Sequence, residues 1–207
     1  MIQVELEPAA AASLFGARLE LARQYTSDLA ERGEELGLIG PLELPRLWSR
    51  HVLNCALLAP LIAGRVGDVG SGAGLPGLVL AVARPDVELV LIEPMERRVE
   101  WLRHEAAALG LENVEVVRAR AEEVKFSPRL DQVTARAVSA LGKLIPMTVP
   151  LVRPGGQLLF LKGASVHNEV DAAAKAIRKA RLTEVEVLLL GEGILPEATR
   201  VFRATVD

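Results

Sequence analysis

Between Val66 and Gly77 the chain reads VGDVGSGAGLPG, a β-rich run that passes into Gly70, Gly72, Gly74 and Gly77 and then into the helical pattern of residues 75–83. Strand, side-chain-free turn and helix in direct succession open a βαβ unit. Glycine alone turns so sharply at no steric cost and lets backbone approach a ligand without a Cβ in the way. From there β-rich runs at 65–70, 87–93, 114–119, 130–136 and 156–162 alternate with helical patterns at 75–83, 95–109, 139–152 and 166–181. Such alternation predicts a mostly parallel sheet with helices on both faces. The last two runs, 184–190 and 199–206, have no helix between them. They are expected to pair antiparallel at the sheet edge, since parallel neighbours need a long crossover. The expected fold is therefore α/β and Rossmann-like, with seven mostly parallel strands and a closing antiparallel strand.

Upstream, Leu14, Leu19, Leu21, Tyr25 and Leu29 recur at helical spacing within residues 7–33. Gly33 to Pro45 breaks the pattern, and a second helix is expected from Arg46 to Ala63, bent near Pro60. The division that follows is an N-terminal helical extension, 1–63, packed on a core, 64–207. A length of 207 residues suits one main core, and 50% hydrophobic with 25% charged residues excludes disorder. The start MIQVE has no basic flank leading into an apolar run, and no stretch of about 18 apolar residues occurs, so a cytoplasmic location and no membrane contact are expected. A single cysteine, Cys55, and three scattered histidines, His51, His104 and His167, provide neither a disulfide framework nor a metal site. A net charge of −3 argues against gripping nucleic acid over the whole surface and leaves room for a local basic patch. Residues 170–180 are rich in Ala, Lys and Arg.

Gly72-x-Gly74-x-x-Gly77 also satisfies the dinucleotide pattern G-x-G-x-x-G, so the loop by itself does not choose its cofactor. Asp68 before it and Pro76 within it favour S-adenosylmethionine, because a carboxylate there suits the ammonium of a methionine tail better than a pyrophosphate. Glu93 ends the next apolar run about twenty residues on, where an acid accepts hydrogen bonds from both ribose hydroxyls. Pro94 and Met95 follow, as adenine lining or as core. Ala121-Glu122 falls where such enzymes hold the adenine amino group; Glu122 and Glu123 fit equally well as acids at the start of a short helix. Arg136 and Lys162 end the fourth and fifth runs, either as cations for an anionic substrate or as solvated or salt-bridged strand ends. His51, beside Arg50, is a secondary candidate for substrate binding. Cys55 reads as a small buried residue with no basic neighbour in sequence to make it a thiolate.

Taken together, Arg50-His51, the run Val66 to Gly77, Ala135-Arg136-Ala137 and Leu161-Lys162-Gly163 resemble the glucose-inhibited division protein B family, the bacterial small-subunit ribosomal RNA guanine-N7 methyltransferases. The resemblance runs from about Arg46 to about Lys162, and Gly-Leu-Pro-Gly is its most specific part. It implies a class I methyltransferase fold, cofactor contacts from Gly70, Leu75, Ala121, Glu122 and Arg136, and Glu93 as the ribose acid. The implied target is a guanine N7 of 16S ribosomal RNA, met by a monomer within the small subunit or an assembly intermediate. Guanine N7 carries an in-plane lone pair and no proton, so positioning suffices and no catalytic side chain is assigned. Attack by a cysteine is disfavoured because Cys55 precedes the first strand. Amino-group methylation is disfavoured because Ala137-Val138-Ser139-Ala140 replaces an Asn/Asp-Pro-Pro-aromatic run. Arg136 and Lys162 then serve the cofactor edge or flanking phosphates, and Phe126, Phe160, Trp48 and Trp101 are the aromatics open to base stacking. The competing readings are an NAD-type oxidoreductase and a non-enzymatic RNA-binding assembly factor.

Overall fold

A computed structural model describes residues 3–207. The N-terminal segment holds α1 (Ala10–Phe15), α2 (Leu19–Arg32) and the single turn α3 (Asn54–Ala56). The core then runs β1 (Arg65–Val69), α4 (Gly77–Ala83), β2 (Glu88–Ile92), α5 (Glu96–Ala108), β3 (Val114–Val117), β4 (Leu130–Arg136), α6 (Leu141–Thr148), β5 (Val152–Lys162), α7 (Val166–Ala172), α8 (Ala174–Lys179), β6 (Thr183–Leu190) and β7 (Thr199–Thr205). Seven strands form one sheet in the order β3-β2-β1-β4-β5-β7-β6. The first five are parallel; β7 enters between β5 and β6, antiparallel to both. The sheet thus follows the expected α/β, Rossmann-like class I methyltransferase arrangement, closing antiparallel strand included.

Where the chain departs from the expected helices, local chemistry explains it. The first helix breaks at Gly16, which takes φ +52°, and resumes after one 3-10 turn. In place of one helix from Arg46 to Ala63, Leu47–Leu53 winds as a π-helix, α3 follows, and Ala59–Leu61 with Pro60 closes as a 3-10 turn. Proline lacks the N–H that an α-helical interior needs, so the turn tightens there. The expected helix 166–181 is two short helices that meet at Ala173.

Strand periodicity divides the core. On one face Val66, Leu89, Leu91, Leu159 and Val201 pack against α4, α5 and the N-terminal residues Tyr25, Leu29, Leu47 and Leu53. On the other, Val133, Leu158, Phe160 and Phe202 pack against Leu141, Leu144 and Ile145 of α6 and Val166 of α7. The N-terminal segment therefore shares the core of the first face, with Tyr25, Leu29, Leu47 and Leu53 fully buried. Burying each such leucine stabilises the fold by roughly 1.5–3 kcal/mol. From β1 the chain steps to β2 and β3 on one side and returns to β4 on the other. The carboxyl ends of β1 and β4 thus form the switch point at which sheets of this kind bind ligands.

Candidate cofactor cleft

Three glycines of the loop after β1 take left-handed backbone: φ is +70° at Gly70, +55° at Gly72 and +96° at Gly74. A Cβ on Gly70 would lie 2.7 Å from Val138 Cγ2, across the mouth of the cleft, whereas one on Gly74 or Gly77 would strike the supports beneath, Leu78 and Leu91. The loop is fixed from below by side chains. Gly77 N–H, at the start of α4, donates to Asp68 Oδ2 at 2.9 Å, and Ser71 Oγ donates to the Asp68 carbonyl. The Ala73 carbonyl accepts two buried donors, Tyr25 OH from α2 at 3.0 Å and Trp101 Nε1 from α5 at 2.9 Å. A carbonyl has two lone pairs, and both are used here.

Above the loop lies a cleft of about 370 Å³, lined by Gly70, Glu93, Pro94, Met95, Arg98, Ala121, Glu122, Ala137, Val138 and Met147, among others. Glu93 organises it. Its Oε2 accepts Gly72 N–H at 3.0 Å and its Oε1 accepts Met95 N–H at 3.0 Å, so the acid ties the end of β2 to the glycine loop. Each carboxylate oxygen keeps further acceptor capacity. Met95 is 49% exposed at the cleft, not core. Glu123 Oε2 accepts Arg120 N–H and so closes its own 3-10 turn, while Glu122 lines the cleft, which separates two acids equivalent in sequence. Ala137, where β4 gives out, holds φ +55°, a conformation costly for any residue with a Cβ and one that recurs at functional sites.

At the β4–β5 edge the polar groups are already engaged. Arg136 Nη2 donates to His51 Nδ1 at 2.5 Å, and Arg136 Nη1 reaches Cys55 Sγ at 3.4 Å. Arginine only donates, so Nδ1 is an acceptor and the proton sits on Nε2, which donates to Glu43 Oε2 at 2.7 Å. Burial, reinforced by the Arg136 charge, brings the His51 pKa down to about 4 and keeps the ring neutral. Lys162 Nζ bonds the Ser139 carbonyl at 3.1 Å and pairs with Glu169 at 2.7 Å, its side chain only 10% exposed.

The description rRNA small subunit methyltransferase G, or GidB, matches residues 18–196. The chain belongs to the GidB family. A relative from Leifsonia xyli subsp. xyli named ribosomal RNA small subunit methyltransferase G is 66% identical, with 98% of each chain covered. One of the same name from Clavibacter sepedonicus is 65% identical over 98% of this chain and 97% of its own. Among solved structures, the S-adenosylmethionine-dependent methyltransferase SibL superposes with a TM-score of 0.61 at 18% identity, over 94% of this chain and 74% of its own. That likeness is one of fold.

Within this GidB-family chain several residues singled out in the sequence stand elsewhere than expected. Asp68 is fully buried, so it presents no surface to a methionine ammonium; its structural work is on the loop. Burial raises its pKa to about 7, and its Oδ1 has no hydrogen-bond partner among the described residues. Gly74 and Leu75 pack downward, Leu75 against the N-terminal core. The side chains of Arg136, His51 and Lys162 bond within the protein; Lys162 is a salt-bridged strand end, and neither it nor Arg136 is a free cation awaiting phosphate. Trp48, Trp101 and Phe160 are buried, and Phe126 lies under Arg65 at the opposite end of the strands, so none of the four faces the cleft. Arg98, Val138 and Met147 were missed. Arg98 lies in the first turn of α5 with Nη1 3.9 Å from Glu93 Oε2, a placement no motif marks. No cluster of three or more metal-ligating side chains occurs among the described residues. No helix among them is long and apolar enough to cross a membrane.

Proposed function

We propose that this protein transfers the methyl group of S-adenosylmethionine to N7 of a guanine in 16S ribosomal RNA, acting as a monomer on the small subunit or an assembly intermediate. GidB membership supports the reaction class, and the observation that carries the cofactor assignment is Glu93. A carboxylate at the end of β2, fixed by two backbone N–H groups and opening on a cleft of about 370 Å³, suits the ribose of a nucleoside cofactor. When bound, S-adenosylmethionine supplies an electrophilic methyl on a positively charged sulfur.

The residues divide the binding work. Glu93 accepts the ribose hydroxyls; Pro94, Met95, Ala121 and Glu122 border the adenine. Gly70 and Gly72 leave room for the methionine end, and the Arg136–Ala137 main chain bounds it on the other side. Asp68, Gly74 and Leu75 hold the loop from beneath. Guanine N7 attacks with its own lone pair, so the chain has to align the base, the methyl and the sulfur, and needs to hold no proton. The cleft agrees with that economy: Val138 and Met147 give it apolar walls, Cys55 is buried with its thiol pKa pushed up, and His51 is held by Glu43 and Arg136.

The test is to incubate the protein with labelled S-adenosylmethionine and small subunits from a strain lacking the enzyme, then to map the modified base. Label on a guanine N7 of 16S RNA is expected. Label on cytosine or adenine contradicts the assignment.

A further inference from the structure

The basic run after α7 plays no part in the cleft. Lys175, Arg178 and Lys179 stand at i, i+3 and i+4, so α8 presents all three on one face, and Arg181 follows just past its end. All four are exposed, and among the described residues none has an ion pair or a side-chain hydrogen bond. The opposite face of this stretch, Ala176, Ile177 and Ala180, packs on the core. Arg23, Arg65, Arg84 and Arg153 each meet a carboxylate, and exposed cations such as Arg103, Lys125 and Lys143 have no ion pair among the described residues; what sets α8 apart is three cations on one helix face. Like charges one turn apart repel, so this face is disfavoured until an anion approaches.

Arg181 adds an independent sign. Leu182 N–H returns to the Ile177 carbonyl at 3.1 Å, the closure that ends a helix with a left-handed residue. Arg181 is that residue, at φ +53°, in a position that favours glycine. The helix C-terminus attracts cations, which accounts for Lys179 but not for a strained arginine beyond it. Lys175 and Lys179 also border a groove of about 470 Å³ between α6 and α8, walled by Pro146, Val149 and Ala176.

We infer that this face grips the phosphodiester backbone of the RNA substrate, away from the methylated base. The inference takes the identity of the polyanion from the proposed function. Thr183 pairs with Thr205, itself opposite Gln157 of β5, so the Arg181 end lies at the sheet edge opposite the cleft. From Gln157 to Lys162 the sheet spans about 17 Å. The contact therefore sets RNA affinity and register, not cofactor binding.

The experiment measures binding of the full chain to protein-free 16S RNA and to small subunits across a salt series, for wild type, for a triple variant Lys175→Gln, Arg178→Gln, Lys179→Gln, and for Lys175→Arg with Lys179→Arg. The glutamine variant is expected to lose about tenfold or more in affinity, with the slope of log K against log salt shallower by about 2–3. The arginine variant keeps both values, and S-adenosylhomocysteine affinity and kcat at saturating subunits are unchanged in all three. Unchanged affinity and slope in the glutamine variant overturn the inference, as does equal loss in the arginine variant. A loss seen only with assembled subunits also overturns it, by pointing to a ribosomal protein. Wild type that binds RNA in this charge-dependent way but transfers no methyl leaves the surface standing and removes the proposed reaction.

Discussion

The two halves of the ligand-binding edge are built from similar residues and end in opposite states. At the ends of β1 and β2, Glu93 accepts one backbone N–H on each oxygen, has the Arg98 guanidinium 3.9 Å from Oε2, and still borders the cleft. At the ends of β4 and β5, Arg136 and Lys162 are equally charged, yet their side chains are held by His51, Cys55, Ser139 and Glu169. The lesson is that a charge at a strand end binds ligand only with the valence its neighbours leave over.

The largest effect expected from this comparison is at Glu93. Glu93→Ala removes a charged acceptor from two N–H groups and from ribose, so calorimetric affinity for S-adenosylhomocysteine should fall about 100-fold, hydrogen bonds to charged groups being worth about 1.5–3 kcal/mol each. Gly70→Ala comes next. It forces a Cβ at φ +70° against Val138, and should lower affinity about tenfold and stability by about 1–2 kcal/mol. His51→Ala probes the engaged half. Leaving Arg136 without its acceptor should cost about 2 kcal/mol in denaturant unfolding, with S-adenosylhomocysteine affinity changed less than about threefold; a larger affinity loss would break the contrast between the halves.

The smallest effect concerns Asp68, whose folded pKa of about 7 lies above its ordinary 3.8 because of burial. Its contribution to stability is complete below pH 3.8 and is lost as pH rises through 7. Asp68→Asn keeps an acceptor for Gly77 N–H and removes that loss. Relative to wild type it should gain stability at pH 8 and almost nothing near pH 4, read from unfolding midpoints. A variant that gains equally at both pH values would show that the buried charge is not the cause.

Much of this is legible in the sequence. Glycine spacing and the β-rich runs placed the loop and all seven strands, because period and turn chemistry are local properties. Glu93 was legible for the same reason: its meaning comes from its distance after the loop. What escaped reading depends on contacts across the fold. The Tyr25 and Trp101 bonds to Ala73 join residues 48 and 28 positions apart. Arg136 meets His51 across 85 positions. Asp68 reads as a ligand group because nothing in the sequence reveals that the sheet seals it. Glu122 and Glu123 were separable only once the Arg120 turn showed which of them closes it.

The contrast between the two halves is tested most directly by one calorimetric series, in which wild type, Glu93→Ala and His51→Ala are titrated with S-adenosylhomocysteine at neutral pH. The account predicts a loss of affinity of about 100-fold in Glu93→Ala and near-wild-type affinity in His51→Ala. Wild-type affinity in Glu93→Ala, or a loss in His51→Ala as large as that expected for Glu93→Ala, would contradict it.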